Sequence, residues 1–323
     1  MSDSTEYLRL KYPQIIGQKS ALKKLDFFTE IQSSNGYFPF VLMVGSRGSG
    51  KTETAASVSK HLFDKTENTI RKSIKINCST IESVSSFFTE IVDIYCLSGE
   101  INLIMDEFHS IASVKNLVDT FLTIFDTNND INLIPRNGQN YQFDKSKISW
   151  ICLTSEPHLL PETLISRMEV INLEMLSLED LTGIIKKNLQ DIQIQDEQLL
   201  TDIASVSRAN GRESFKLAEN IKMNLKISNK NTLTKEDWEK VKSKLGIRKF
   251  GLNNTEFKIL KFLQSHSDGA SLSKISSSLQ LTQESCRLGF ERFLLGNDFI
   301  QIEAGRGRVL TKKGYEYLSE VKE

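Results

Sequence analysis

The chain has 323 residues, 39% hydrophobic and 25% charged, and its basic and acidic side chains balance to zero net charge. That composition suits a globular chain with material for more than one core, and the length suits two or three domains. No run approaches the roughly 20 apolar residues of a membrane span, and the opening Met1-Ser2-Asp3-Ser4-Thr5-Glu6 lacks the basic and apolar regions of a signal peptide. Four scattered cysteines (Cys78, Cys96, Cys152, Cys286) form no CxxC pair, which argues against zinc and a disulfide framework and for a reducing, cytoplasmic compartment. The zero net charge conceals a gradient. Residues 1–174 carry an acidic excess and residues 248–323 a basic one, so a nucleic-acid contact is better sought near the C-terminus.

In chain order, Phe40–Val44 is a short apolar strand leading into a glycine-rich loop, and Thr52–Phe63 follows as a helix. Ile74–Asn77, Ile101–Met105 and Ile148–Leu153 are further short apolar strands, the second ending at two acids and the third at Thr154-Ser155. Buried strands separated by helices predict an α/β domain with a parallel sheet covered on both faces, over residues 1–175. From 176 to 247 the strand signals stop. Leu178–Leu189, Asp196–Val206, Arg212–Lys226 and Glu236–Leu245 carry helical spacing, the last opened by a Thr234-x-x-Asp237 cap, so this segment is predicted to be an all-helical domain. Residues 248–323 hold three short helices (Thr255–Gln264, Ser271–Gln280, Thr282–Leu295) and a hairpin of Phe299–Glu303 and Arg308–Thr311 around Ala304-Gly305-Arg306-Gly307. Three helices and a hairpin wing make a winged-helix domain.

Gly45-Ser46-Arg47-Gly48-Ser49-Gly50-Lys51-Thr52 matches GxxxxGK[ST] after a strand and before a helix, the context that motif requires. Its glycines let backbone amides wrap phosphates, and the helix N-terminus adds its dipole. Lys51 neutralises the terminal phosphates of ATP, and the Thr52 hydroxyl is the expected Mg²⁺ ligand. In Leu103-Ile104-Met105-Asp106-Glu107 an apolar strand ends in two carboxylates. Asp106 is placed to hold Mg²⁺ through water and Glu107 to polarise the attacking water. Thr154 or Ser155 can sense the γ-phosphate, or can simply end the strand. Arg167 can reach a neighbouring subunit's γ-phosphate, and Arg212 can close over the nucleotide from within the chain; each can equally be a surface arginine. His109 either couples nucleotide state to DNA or is a satisfied polar residue. Arg306, Arg308, Lys312 and Lys313 cluster on or beside the wing, with Arg287 and Arg292 on the helix before it, a pattern suited to phosphate contacts. The alternative is a protein-binding wing or solubilising charge.

Taken together these motifs resemble the AAA+ ATPases, and among them the RuvB branch-migration motors, over nearly the whole chain. Asp106-Glu107-Phe108-His109 is similar to their DExH motif, and Gly305-Arg306-Gly307-Arg308-Val309 to their wing turn. The resemblance implies that Ile15 and Ile16 line an adenine pocket, that Thr154-Ser155 are sensor 1, that Arg167 is the arginine finger, and that Arg212 is sensor 2. It also implies that Ile131–Phe143, with Pro135-Arg136-Asn137-Gly138 as its turn, forms a hairpin docking a RuvA-like protein through Ile131, Leu133 and Ile134; a purely structural hairpin is the other reading. The sequence departs from the family pattern where GSRGSGKT lacks two prolines after the first glycine, where Glu156 replaces an arginine, and where the sensor 2 segment is short. These departures suit a remote member such as one carried by a phage or mobile element. The expectation is an ATP- and Mg²⁺-dependent motor on double-stranded or branched DNA, a hexameric ring with shared sites, acting in recombination and repair. The alternative is a clamp-loader or initiator-type switch, and a winged-helix regulator that uses ATP only as a switch is a third.

Overall fold

A computed structural model of the chain describes residues 2–64, 69–97 and 99–321. They form two compact units. One comprises the chain up to Asn188 together with Ala209–Ala218, and the other comprises Leu189–Arg208 together with the chain from Glu219 on.

The first unit is built on strands β1 (Val41–Val44), β2 (Lys72–Asn77), β3 (Ile101–Asp106), β4 (Ile131–Arg136), β5 (Gln139–Asp144), β6 (Ile148–Thr154) and β7 (Glu169–Asn172). Five of them form one parallel sheet in the order β2-β3-β6-β1-β7, and β4 and β5 form a separate antiparallel hairpin. Alternation sends Leu42, Leu103, Met105, Trp150 and Cys152 to one face, where they meet Phe87, Phe108, Phe121 and Phe125. Val41, Met43, Ile104, Ile151 and Leu153 go to the other face. Because both faces are covered, the central strands are almost uninterrupted apolar runs, the property that makes them visible in sequence. The fifth strand, β7, was not anticipated: Glu169-Val170-Ile171-Asn172 is half polar because, among the described residues, it is an edge strand paired with β1 alone. The helix after the glycine loop spans Lys51–Ser59 and stops short of Phe63, which instead joins Asp64 in a two-residue ladder with Thr69–Ile70.

In the second unit, helices Gln198–Ser205 and Lys235–Lys244 lie in the segment expected to be helical, joined by a two-residue parallel ladder, Gln193–Ile194 with Thr232–Leu233. Thr234 and Asp237 form the expected capping box. The C-terminal part has helices Asn254–Gln264 and Leu272–Ser278, then a helical stretch from Gln283 to Gly296 that widens to five-residue spacing over Arg287–Glu291. Strands β8 (Ile300–Glu303) and β9 (Gly307–Leu310) make the wing, and an unanticipated helix, Lys312–Glu320, closes the domain. Side-chain caps from Asn253, Ser271, Thr282 and Thr311 start its helices. Phe257, Leu260, Ile275, Leu294, Phe299, Leu310 and Tyr317 fill the core. Gly307 has φ +82°, and a Cβ there would stand 2.5 Å from the Ala270 carbonyl, so the wing fits against its neighbour only with glycine.

Candidate functional site

The glycine loop connects β1 to the helix that starts at Lys51. Gly48 (φ +82°) and Gly50 (φ +93°) take left-handed conformations that side chains resist. The Lys51 ammonium folds back on the loop, donating to the carbonyls of Gly45 at 2.7 Å and Ser46 at 3.0 Å. Burial lowers its pKa; Glu107 and Asp106 act in the opposite direction, while Arg212 and Arg47 add to the depression. An anionic phosphate at this loop would favour the charged ammonium.

A cleft of about 670 Å³ opens here, within the usual range for small-molecule sites. Its floor is the loop from Arg47 through Thr52, its acidic end is Asp106 and Glu107, and its apolar wall includes Ile15, Ile16, Leu176, Ile184 and Phe215. Arg212 also lines it. The expected adenine wall, phosphate cradle and hydrolytic carboxylates therefore share one cavity. Ser49 Oγ and Thr54 Oγ1, both on its lining, are buried without a hydrogen-bond partner. Such orphaned donors beside left-handed glycines suit a polyanionic ligand, and the hydroxyl of Thr52 with the carboxylate of Asp106 is the hard-oxygen set that suits magnesium.

At the acidic end, Asp106 Oδ1 accepts from the Glu107 amide at 3.0 Å, and Oδ2 pairs with Lys75 at 2.8 Å. Glu107 itself is left-handed (φ 51°, ψ 44°), an uncommon conformation for a residue with a side chain. The fully buried Phe108 secures it, its ring 5.1 Å from that of Phe121. Thr154 does not line the cleft. Its buried hydroxyl is hydrogen-bonded to His109 Nδ1 at 3.0 Å and accepts from the Glu156 amide at 3.0 Å, while His109 lies 3.7 Å from the Glu107 carboxylate. His109 is thus satisfied by Thr154 and adjoins the acidic end of the cleft. Ser155 Oγ is buried and unpartnered.

Three residues make contacts that the sequence reading did not assign, although Gln18 and Asn210 stand in the segments likened to the adenine pocket and to sensor 2. Gln18 donates to the carbonyls of Ser49 and Glu174 and accepts from the Glu174 amide, tying the loop to the chain leaving β7. Asn210 caps the helix Gly211–Ile227 by accepting from the amides of Arg212 and Glu213, donates to the Arg47 carbonyl, and lies against Gly48, whose carbonyl accepts from the Gly211 amide. The Asn preceding a helical run is a cap signal in sequence, but its second contact is not. Lys75 carries no local signal at all.

Arg167 lies outside the cleft, donating to the Leu122 carbonyl. The β4–β5 hairpin forms, but its turn is Asn137-Gly138 alone, both with positive φ, and Pro135 and Arg136 belong to the strand. Strand alternation also corrects the expected contact face. Ile131 and Leu133 are exposed with Pro135, whereas Ile134 packs into the core beside Tyr141.

In the winged helix, Arg287, Arg292 and Lys312 are exposed. Lys313 donates to the Asn297 carbonyl over the Phe299 ring, and Arg306 pairs with Glu303 and donates to the carbonyls of Ser267 and Asp268. Arg308 differs from its neighbours: it points inward to the buried Glu291 at 2.7 Å, so its charge is held in the fold.

Residues 41–174 match the family described as ATPase family associated with various cellular activities (AAA), and residues 249–319 match the RuvB C-terminal winged helix domain. The Holliday junction branch migration complex subunit RuvB of Wolbachia sp. subsp. Drosophila simulans is 27% identical, over 94% of this chain and 91% of its own. The same subunit from Ehrlichia ruminantium is 26% identical, over 95% and 90%. The Thermotoga maritima RuvB Holliday junction branch migration motor superposes with a TM-score of 0.72 at 23% identity, over 94% of this chain and 95% of that one, a likeness of fold.

Proposed function

We propose that this chain, a RuvB-like AAA+ ATPase, is a motor that hydrolyses ATP to move duplex or branched DNA in recombination and repair. The observation that carries this reading is the union, in one chain, of a complete phosphate-and-carboxylate cleft with a winged helix of the RuvB type.

In the proposed reaction the loop amides from Ser46 to Gly50 and the Lys51 ammonium take the phosphates. Ile15, Ile16, Leu176 and Phe215 cover the base. Thr52 and Asp106 hold Mg²⁺, which neutralises phosphate charge. Glu107, held left-handed over the buried Phe108, orients and polarises the attacking water. Thr154 acts through His109 on Glu107, and Arg212 approaches the phosphates from within the chain. Arg167, outside its own cleft, serves a neighbouring subunit's site, which requires an oligomer such as a hexameric ring. The exposed face of β4, Ile131, Leu133 and Pro135, is the candidate dock for a RuvA-like protein. Arg287, Arg292 and Lys312, with Arg306 and Lys313 once released from their present partners, supply DNA backbone contacts. Four buried free cysteines suit a reducing, cytoplasmic setting, and no helix among the described residues is long and apolar enough to cross a membrane.

The test is ATP turnover of the purified chain with no DNA, with linear duplex and with a synthetic four-way junction, using Lys51→Ala as the blank. Stimulation by duplex or junction is the expected outcome. Turnover indifferent to DNA would reject the motor reading in favour of a loader or remodelling ATPase.

A further inference from the structure

Lys75 stands on β2, the strand at the edge of the sheet beside β3. The two strands are parallel with Asn77 opposite Asp106 and Lys75 opposite Ile104. Residues 73, 75 and 77 share one face. Ser73 Oγ on that face accepts from Asn102, whose amide also donates to the Ser59 carbonyl at the end of the phosphate-loop helix. Ile74 and Ile76 pack into the core on the opposite face. β2 thus presents a cation to the acidic end of the cleft, with its Nζ 2.8 Å from Asp106 Oδ2. Lys51, on the phosphate loop, is turned to the Gly45 and Ser46 carbonyls. Asp106 is only 21% exposed at its side chain, whereas Lys75 is 50% exposed.

We propose that Lys75 is a resident counter-cation of the divalent-metal site: it neutralises Asp106 in the metal-free chain and is displaced into solvent when the metal arrives. The inference rests on the ATP-and-magnesium reading of the cleft and is independent of whether the chain acts on DNA. The asymmetry of exposure makes the exchange possible. A half-exposed ammonium recovers most of its hydration on leaving, so the pair is weak and reversible. The carboxylate is the more enclosed partner, so a cation beside it is favoured in either state, the ammonium without metal and the metal when it is bound. Lys75 therefore competes with the metal for one carboxylate, and after displacement it remains a nearby like charge. Both effects lower metal affinity, together by about three- to tenfold. If Lys75 instead served to hold Asp106 ready for the metal, its removal would weaken metal binding.

The sign of the change is therefore the test. Mn²⁺ is titrated into the full chain in the presence of ADP, with free Mn²⁺ followed by electron paramagnetic resonance. Binding of methylanthraniloyl-ADP in EDTA shows separately that the cleft takes nucleotide. Lys75→Met should bind Mn²⁺ about three- to tenfold more tightly than the parent, and Lys75→Arg, which keeps the cation, should stay within about twofold of it. Lys75→Gln carries the same expectation as Met should the apolar variant fail to fold. Unchanged or weakened Mn²⁺ binding in the neutral variants overturns the inference while leaving the ATPase reading intact. Failure of the parent chain to bind the nucleotide would overturn the cleft reading, and this inference with it.

Discussion

Gly48→Ala is the most informative single change at the phosphate loop, because two separate costs can be taken from the geometry. At φ +82° a Cβ is strained, by about 1–2 kcal/mol. The same Cβ would lie 1.9 Å from Asn210 Oδ1 and 2.4 Å from its Cγ, so Asn210 must leave. Its departure uncaps the helix Gly211–Ile227 and removes its bond to the Arg47 carbonyl, for about another 1 kcal/mol. Gly48→Ala should therefore cost about 2–3 kcal/mol, a fall in Tm of about 5–10 °C for a unit of this size. Asn210→Ala alone should cost about 1 kcal/mol. In the double variant the clash no longer exists and the cap is already lost, so Gly48→Ala adds only the strain. The double variant should then be no less stable than Gly48→Ala alone, a coupling of about 1 kcal/mol. Thermal unfolding of the four nucleotide-free proteins measures this directly. Strict additivity, or a Gly48→Ala cost under about 0.5 kcal/mol, would refute the argument that loop and helix start are locked together.

Glu107→Gln should lower ATP turnover by about 100-fold or more while leaving nucleotide affinity within a few-fold, since the amide keeps the shape but cannot polarise water; full activity sinks the assignment. Arg167→Ala should be equally inactive alone, yet mixing it with Glu107→Gln should regain turnover, because mixed interfaces pair an intact Glu107 with an intact Arg167. A mixture as inactive as its parents would refute the action of Arg167 on a neighbouring subunit's site. Arg308→Ala should destabilise the winged helix by about 3 kcal/mol, because it strands the buried Glu291, whereas Arg306→Ala at an exposed pair should cost under about 1 kcal/mol. Alanine at Arg287, Arg292 or Lys312 should weaken duplex binding without regard to sequence and reduce the salt slope by about one each, read by fluorescence anisotropy across salt concentrations.

What was legible in the sequence was what is contiguous in the chain. The phosphate loop and the Asp106-Glu107 turn are uninterrupted motifs at strand ends, and the strands feeding them are apolar because both sheet faces are buried. Gln18 and Lys75, and Asn210 in its bond to the Arg47 carbonyl, act on partners brought close only by the fold, so no spacing rule reveals these contacts. β7 was missed because an edge strand needs fewer apolar residues. Two assignments were recoverable by a stricter use of alternation. In β4, Ile134 lies on the face opposite Ile131 and Leu133. In β9, Arg308 shares the inward face of the buried Leu310, whereas Arg306 lies in the turn. The conformation of Glu107 could not have been foreseen, since nothing in its residue type favours positive φ.

The position of β2 has a bearing on solubility. A strand with one unpaired side offers its amides and carbonyls to any extended segment, and stacking of such edges is a route to aggregates. Here that strand carries Lys72 and Lys75, both exposed, where a second copy would have to bring its own lysines alongside. Like charges in register oppose such pairing, so the ammonium that meets Asp106 also guards the sheet against self-association.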